Sequence, residues 1–211
     1  IKANLVHSSG VTGVGSKVCI VDTGVSDDGP NLNPLVSQYD FVNLDSDATD
    51  DNGHGTHVAG IIASQHTLYK GVAPGASLMA AKVLDSAGSG YSSNVISGIE
   101  WCVSNGADII SMSLGGLPVS NPCDGDPMAM AGNLAVDQGV VVFAASGNDG
   151  NTNMISTPAC GSKIISVGSV GDNDVRSSFS NGGIELDVVA PGENIISTVP
   201  AGICQFCSPT G

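Results

Sequence analysis

The sequence predicts an α/β fold, with a central parallel sheet that is covered by helices on both faces. Two nearly continuous apolar runs, at residues 18–21 and 77–84, are typical of strands that are buried on both sides. A helical pattern followed by an apolar strand then occurs twice in succession, over residues 92–112 and 128–145. Repeated units of this kind indicate parallel strands that are joined by crossover helices.

Length and composition restrict the class of protein. The 211 residues are enough for one domain with a sizeable core, and they carry 20 Asp and Glu against 6 Lys and Arg, for a formal net charge of −14. A surface this acidic repels phosphate groups, so we expect neither a nucleic-acid nor an anionic-membrane partner. Only 12% of the residues are charged and 41% are hydrophobic, which excludes a disordered acidic tail.

The first half of the chain predicts two strands and one helix around a long connection. The strand at 18–21 ends at Asp22. Residues 26–53 are rich in Asp, Asn, Gly and Pro, and they predict a surface connection with one strand-like patch at 39–42. A buried helix is expected to begin close to His54, because small and apolar residues follow it at helical spacing.

The second half continues the alternation of helices and strands. We expect a helix that is capped by Ser92 or Ser93, passes through Cys102 and ends at Asn105 and Gly106. The remaining predicted elements are a strand at 108–112, a helix at 128–138, and strands that begin at 140, 164 and 186.

Chemically useful residues follow several of the predicted strands. These are Asp22, the turn at 88–90, residues 113–115 and Asn148, and α/β proteins bind ligands at the carboxyl ends of their parallel strands. A carboxylate, a histidine at a helix start (His54) and an amide donor are three of the four parts of an acyl-transfer site, and the missing part is a nucleophile. Each of the three also has a purely structural interpretation, as a strand-end, helix-start or turn residue with local hydrogen bonds.

Six segments carry a family resemblance that covers residues 17–199. They read, in chain order, IVDTGV around Asp22, NGHGTHVAGIIAS around His54, GVAPGASLMAAKVLD, DIISMSLGG, AASGNDG around Asn148, and FSNGGIELDVVAPG. Together they resemble the subtilases, the subtilisin-like serine endopeptidases. Several independent motifs in the family's order form a specific match, whereas the DTG triplet alone would be weak.

The resemblance gives each candidate a role. Asp22 would orient the imidazole, His54 would act as general base and then as general acid, and Asn148 would donate a hydrogen bond to the oxyanion. Two chain edges would hold an extended polypeptide substrate through backbone hydrogen bonds. Their residues are Gly88, Ser89 and Gly90 on one edge and Ser113, Leu114 and Gly115 on the other. The implied protein is a secreted serine endopeptidase.

The nucleophile motif of the family, of the GTSMA type, does not occur in the sequence. We therefore expect residues 1–211 to form the N-terminal and central part of a single subtilisin-like peptidase domain, with the C-terminal part of the fold missing from this chain. The nucleophilic serine is expected on a second chain or on a segment downstream of Gly211. The alternative is a catalytically dead subtilase-like module that binds peptides or proteins.

The six cysteines favour an oxidising, extracellular compartment, and several buried free thiols are the alternative. Positions that are small and packed together in the family predict a Cys19–Cys102 disulfide, and loops near the expected substrate pocket predict a Cys123–Cys160 disulfide. Cys204 and Cys207 form a CxxC that closes locally or pairs elsewhere.

Calcium is the cofactor that the resemblance implies. Its expected ligands are Asp187 and the backbone carbonyls of Ala159 and Gly161, because hard cations prefer oxygen. A solvated or capping carboxylate is the alternative interpretation of Asp187. The acid-rich run at 45–51 is interpreted as a solvated loop rather than as a second calcium site, and the HGTH at His54 lacks the Glu of a zinc hydrolase motif.

Overall fold

The computed structural model describes residues 1–27, 29, 31–119 and 122–203, and the chain divides into two compact units. The first unit comprises Lys2–Asp108 and the described residues from Ile196 onward, and the second comprises Ile109–Ile195 with Ile1. The first unit has a parallel sheet with helices packed on it and the second has a parallel sheet with a helix packed on it, which confirms the predicted α/β class. In the described part of the chain, no helix is both long and apolar enough to cross a membrane.

The first unit is built on three parallel strands in the order β2-β3-β1. Its elements are α1 (Ala3–Ser8), β1 (Lys17–Asp22), β2 (Ser37–Asp40), α2 (His54–Ala63), β3 (Ser77–Lys82) and α3 (Ser92–Ser104). The register sets Lys17 opposite Ser77 and Asp22 opposite Lys82. All residues of β1 after Lys17 are buried, as the continuous apolar run predicts for a strand that is covered on both faces.

Several predicted boundaries in this unit are wrong. β2 ends at Asp40 rather than at Val42, because the Asp40 carboxylate accepts hydrogen bonds from the backbone N–H groups of Val42 and Asn43 and turns the chain. The N-cap of α3 is Tyr91, which makes no side-chain capping bond, so neither Ser92 nor Ser93 is the cap. α1 was not predicted, since none of its residues is buried and it has no apolar face to detect.

The second unit contains four parallel strands in the order β4-β6-β8-β9 and a small antiparallel pair, β5-β7. Its elements are β4 (Ile109–Met112), β5 (Pro118–Val119), α4 (Pro127–Asp137), β6 (Val141–Ala145), β7 (Ile155–Ser156), β8 (Ile165–Val170) and β9 (Val188–Pro191). Asp126 caps α4, since its side chain accepts from the N–H groups of Met128 and Ala129. β5 and β7 have two residues each, too few for a sequence pattern.

Both predicted disulfides are present. Cys19 of β1 is bonded to Cys102 of α3 within the first unit, and Cys123 is bonded to Cys160 within the second. Cys19 and Cys102 are fully buried, so the first bridge fastens the strand that ends at Asp22 to the helix packed on it. Cys204 and Cys207 lie outside the described residues.

Removing the Cys19–Cys102 bridge should lower the free energy of unfolding by about 2–5 kcal/mol, because the cross-link restricts the unfolded chain. The bridge spans 83 residues and the Cys123–Cys160 bridge spans 37, so the first should contribute more. We expect C19A/C102A to unfold at lower denaturant concentration than C123A/C160A when both are followed by circular dichroism. Equal midpoints for the variants and the wild type would contradict this.

Candidate active site

An aspartate and a histidine meet at the end of β1. The Asp22 side chain is 0% exposed, and its Oδ1 lies 2.7 Å from Nδ1 of His54, the first residue of α2. Because a carboxylate accepts hydrogen bonds, Nδ1 of His54 carries the proton that faces Asp22, so Nε2 is the acceptor nitrogen of the neutral imidazole. The imidazole is 35% exposed. The structure thus brings together the two side chains that the sequence assigns to base catalysis.

The start of α2 approaches the turn after β1 so closely that only glycine fits at position 55. A Cβ at Gly55 would overlap the backbone carbonyl of Gly24 and would touch Oγ1 of Thr23. Oγ1 of Thr23 also accepts a hydrogen bond of 2.9 Å from the N–H of Gly55. The HGTH motif therefore allows the helix to start against the strand end that carries Asp22.

A second carboxylate, Asp50, organises the chain around this helix start. It is 0% exposed, and five donors bind it: Oδ1 accepts from Thr23 Oγ1 and from the N–H groups of Asn52 and Gly53, and Oδ2 accepts from both N and Oγ1 of Thr56. The carboxylate thus ties the strand end to the helix. The interpretation of the acid-rich run as a solvated loop is wrong at this position.

Lys82, at the end of β3, carries a buried positive charge close to Thr23. It is 1% exposed, and its Nζ donates to the carbonyls of Thr23 and Leu84 and to Oδ1 of Asp51 at 2.6–3.0 Å. The lysine thereby holds the backbone of Thr23, the residue after Asp22. Sequence analysis missed this role, and the only available signal was a single Lys at the end of an otherwise apolar strand.

The neighbouring carboxylates raise the pKa of His54 above its usual 6.5. The largest cause is the hydrogen bond to Asp22, and the charges of Asp22 and Asp50 act in the same direction, whereas burial of the ring opposes them. In addition, Oδ2 of Asp22 is buried without a hydrogen-bond partner among the described residues. The negative charge of Asp22 beside the imidazole favours the imidazolium form.

We expect the pH titration of His54 to reflect this environment. Since the folded-state pKa is raised, the pair stabilises the fold fully below about pH 6.5, and this contribution is lost as the pH rises through the folded-state value. An NMR titration of the His54 ring protons, assigned with H54A, should have its midpoint above 6.5. A midpoint at or below that value would contradict the proposed electrostatics.

The predicted substrate edge at Gly88, Ser89 and Gly90 is an exposed turn between β3 and α3. Asp85 shapes it: Oδ1 accepts from the N–H groups of Ala87 and Ser89, and the Asp85 N–H donates to the Ser89 carbonyl. A cavity of about 500 Å³ lies beside this edge, with Phe41 and Tyr91 in its lining. The edge is therefore preformed and open to solvent on one side.

The second unit carries the other predicted site residues. Ser113, Leu114 and Gly115 directly follow β4, and Asn148 is exposed on the connection after β6. At Gly115, a Cβ would lie 3.2 Å from Cβ of Ser156, so this edge packs on β7. Asp22, His54 and Gly88–Gly90 belong to the first unit. The catalytic and substrate-binding roles of all these residues stay predictions.

The expected calcium ligands are only a partial set. Oδ2 of Asp187 already accepts hydrogen bonds of 2.8 Å from N and Oγ of Ser166, and the carbonyl of Gly161 accepts from the N–H of Ile164. The Asp187 carboxylate and the carbonyls of Ala159 and Gly161 are all oxygen ligands, as calcium prefers. They are fewer than the six to eight oxygen ligands that calcium usually takes. Over the described ranges, no three His, Cys, Asp or Glu side chains cluster as a metal site.

Comparison with known proteins shows the family of the chain. A family model described as "Subtilase family" matches residues 13–209. The chain belongs to the subtilase family. The subtilase resemblance that the sequence motifs carry is thereby confirmed.

Individual subtilases match over nearly the whole chain. Subtilisin E of Bacillus subtilis (strain 168) is 45% identical over 208 residues, which are 96% of this chain and 53% of that protein. Subtilisin DY of Bacillus licheniformis is 45% identical over 206 residues, 95% of this chain and 73% of that protein. The crystal structure of a cold adapted subtilisin-like serine proteinase matches with a TM-score of 0.80 and 38% identity, over 89% of this chain and 67% of that one. The chain thus spans about half the length of Subtilisin E.

Proposed function

We propose that this subtilase is a serine endopeptidase that hydrolyses peptide bonds through an acyl-enzyme. The observation that carries the proposal is the 2.7 Å contact between His54 Nδ1 and a buried oxygen of Asp22. A histidine whose tautomer is fixed by a buried carboxylate can act as the base of an acyl-transfer site. We further propose that residues 1–211 belong to a single peptidase domain.

In the proposed reaction, Nε2 of His54 takes the proton of a serine hydroxyl as the serine oxygen attacks the scissile carbonyl carbon. Asp22 stabilises the imidazolium that forms, and the same proton then passes to the leaving amine as the C–N bond breaks. Water repeats the sequence on the acyl-enzyme and releases the carboxylic acid. His54 is therefore base and acid in turn, and Asp22 remains ionised.

Asn148 and the two chain edges complete the proposed mechanism. The Asn148 carboxamide would donate a hydrogen bond to the oxyanion, where the negative charge of the tetrahedral intermediate develops. Gly88–Gly90 and Ser113–Gly115 would hold the substrate backbone in an extended conformation, which tolerates many side chains. Polypeptides are thus the proposed substrates.

We place the nucleophilic serine outside these 211 residues, because the sequence has no GTSMA-type segment. Labelling the complete gene product with a fluorophosphonate tests this, since the probe phosphonylates an activated serine and releases fluoride. Mass spectrometry should find the adduct on a serine beyond residue 211 or on a second chain, and H54A should label far more slowly. An adduct within residues 1–211 would overturn the placement. A folded complete protein without any adduct would overturn the enzyme and favour the binding module.

Secretion and calcium are the remaining parts of the proposal. The two disulfides of the described residues support an extracellular protein. For calcium, we propose a weak site at Asp187, completed by carbonyls of Ala159 and Gly161 and by water. Calcium should then raise the melting temperature of the complete protein relative to EDTA, and D187N should abolish most of the difference. An unchanged difference in D187N would refute this site.

A further inference from the structure

We propose that Asn181 is a positioning residue for oxyanion stabilisation: it fixes the oxyanion loop, residues 146–151, and thereby aims the carboxamide of Asn148. The inference rests on the proposed function, in which Asn148 binds the oxyanion. Asn148 and Asp149 are exposed, whereas Asn181 is 0% exposed. A loop with exposed functional groups keeps one geometry only when buried groups hold it.

The main chain of Asn181 holds the part of the loop before Asn148. Its N–H donates to the Gly147 carbonyl at 2.8 Å, and its carbonyl accepts from Ser146 Oγ at 3.0 Å. Gly147 has a left-handed φ of 105°, and a Cβ there would overlap Nδ2 of Asn181 and Oγ of Ser156. The peptide that leads into Asn148 is therefore packed directly on Asn181.

The side chain of Asn181 holds the part of the loop after Asn148. Oδ1 accepts from the N–H groups of Asp149 and Asn151 at 3.0 and 2.9 Å, and Nδ2 donates to Oδ2 of Asp149 at 2.9 Å and to Oγ of Ser156 at 3.3 Å. Two accepting and two donating bonds saturate a carboxamide. No carboxylate or hydroxyl supplies this combination, so the amide chemistry itself is required.

The variant N181D tests the proposal in the complete protein. It keeps the shape and the acceptor but removes both donors and sets a second carboxylate against that of Asp149, which should push residues 148 and 149 out of place. We expect kcat to fall by about 10- to 100-fold while KM changes by less than about threefold, since misplacement by a fraction of an ångström weakens transition-state contacts.

A double-mutant cycle with N148A separates positioning from a general effect on the fold. Once the Asn148 amide is gone, its aim no longer matters, so N181D should lower the kcat of N148A by less than about twofold. If N181D lowers kcat by the same factor in N148A as in the wild type, the positioning role is refuted. If N148A itself leaves kcat unchanged, the oxyanion role in the proposed function fails instead.

A polarity swap keeps the test decisive if N181D folds poorly. In D149N/N181D the carboxylate and the amide exchange positions, so the donor and acceptor between residues 149 and 181 are restored, and kcat should recover to within about threefold of the wild type. Failure of the folded swap variant to recover any activity over N181D would count against the proposal.

Asn133 offers a matched control in the same unit. Its Oδ1 accepts from the N–H of Lys163 and its Nδ2 donates to Oδ1 of Asp124, so N133D creates the same clash of carboxylates away from the oxyanion loop. We expect N133D to lower the melting temperature without changing kcat. A loss of kcat in N133D equal to that in N181D would show that N181D acts through stability alone.

Discussion

Replacing His54 with alanine should lower kcat of the complete protein by about 10⁶-fold, a magnitude established on subtilisin itself. Without the imidazole, no group accepts the serine proton or returns it to the leaving amine. The fold should tolerate the change, because the imidazole is partly exposed and its removal leaves the Asp50 bonds at the start of α2 intact. Steady-state hydrolysis of a chromogenic peptide measures the effect.

His7 provides the control for this prediction. It lies in α1 and contacts the carbonyl of Val72 through Nε2, so H7A removes the same side chain from a position without a proposed catalytic role. We expect H7A to retain the wild-type kcat. An H54A protein that melts like the wild type and retains more than about 1% of its kcat would exclude His54 as the base.

Replacing Asp22 with asparagine should lower kcat by about 10⁴-fold, as in other serine proteases with this arrangement. An amide nitrogen facing Nδ1 would favour the tautomer that carries its proton on Nε2, and a protonated Nε2 cannot accept the serine proton. At a pH above the folded-state pKa of His54 the pair no longer stabilises the fold, and the change removes a buried charge without leaving a charged partner behind. At such a pH, activity should therefore fall without a loss of melting temperature.

Asp137 is the control for D22N. Its carboxylate binds Nζ of Lys163 in an ion pair whose two side chains are about half exposed, and such pairs contribute little to stability. D137N should leave kcat within about twofold of the wild type. Because Asp22 and His54 act as one unit, D22N/H54A should be barely less active than H54A. Additive losses in the double variant would show that the two residues act separately.

The strands of the core were predictable because short-range patterns encode them, and the Asp22–His54 pair was predictable because the motifs around both residues resemble those of the subtilases. Residues 18–21 are apolar without interruption, and a strand buried on both faces needs no other signal. The glycines of the HGTH and DTG motifs permit the close approach that brings His54 to Asp22. The residues that form these motifs are therefore the same residues whose packing brings His54 to Asp22.

Asp50 and Lys82 could not be predicted, because burial of a charge depends on partners that are distant in the sequence. Asp50 stands in an acidic run that has the composition of a solvated loop; four of its five donors lie within six residues, but the contact that ties it to the end of β1 comes from Thr23, 27 residues away. The Lys82 ammonium likewise finds its carbonyl partner on Thr23, 59 residues away. Periodicity and local propensity depend on neighbouring residues, so they do not predict contacts between residues that are far apart in the sequence.

The contact between Gly55 and the backbone of Gly24 determines how freely the protein can evolve. Any side chain at position 55 would collide with a main-chain carbonyl, which cannot rotate away, whereas a Cβ at Gly125 has no heavy atom within 4 Å. A saturation library at 125 should therefore return many amino acids among its functional clones, and one at 55 only glycine. Lineages of this protein would therefore diverge at position 125 and keep glycine at position 55.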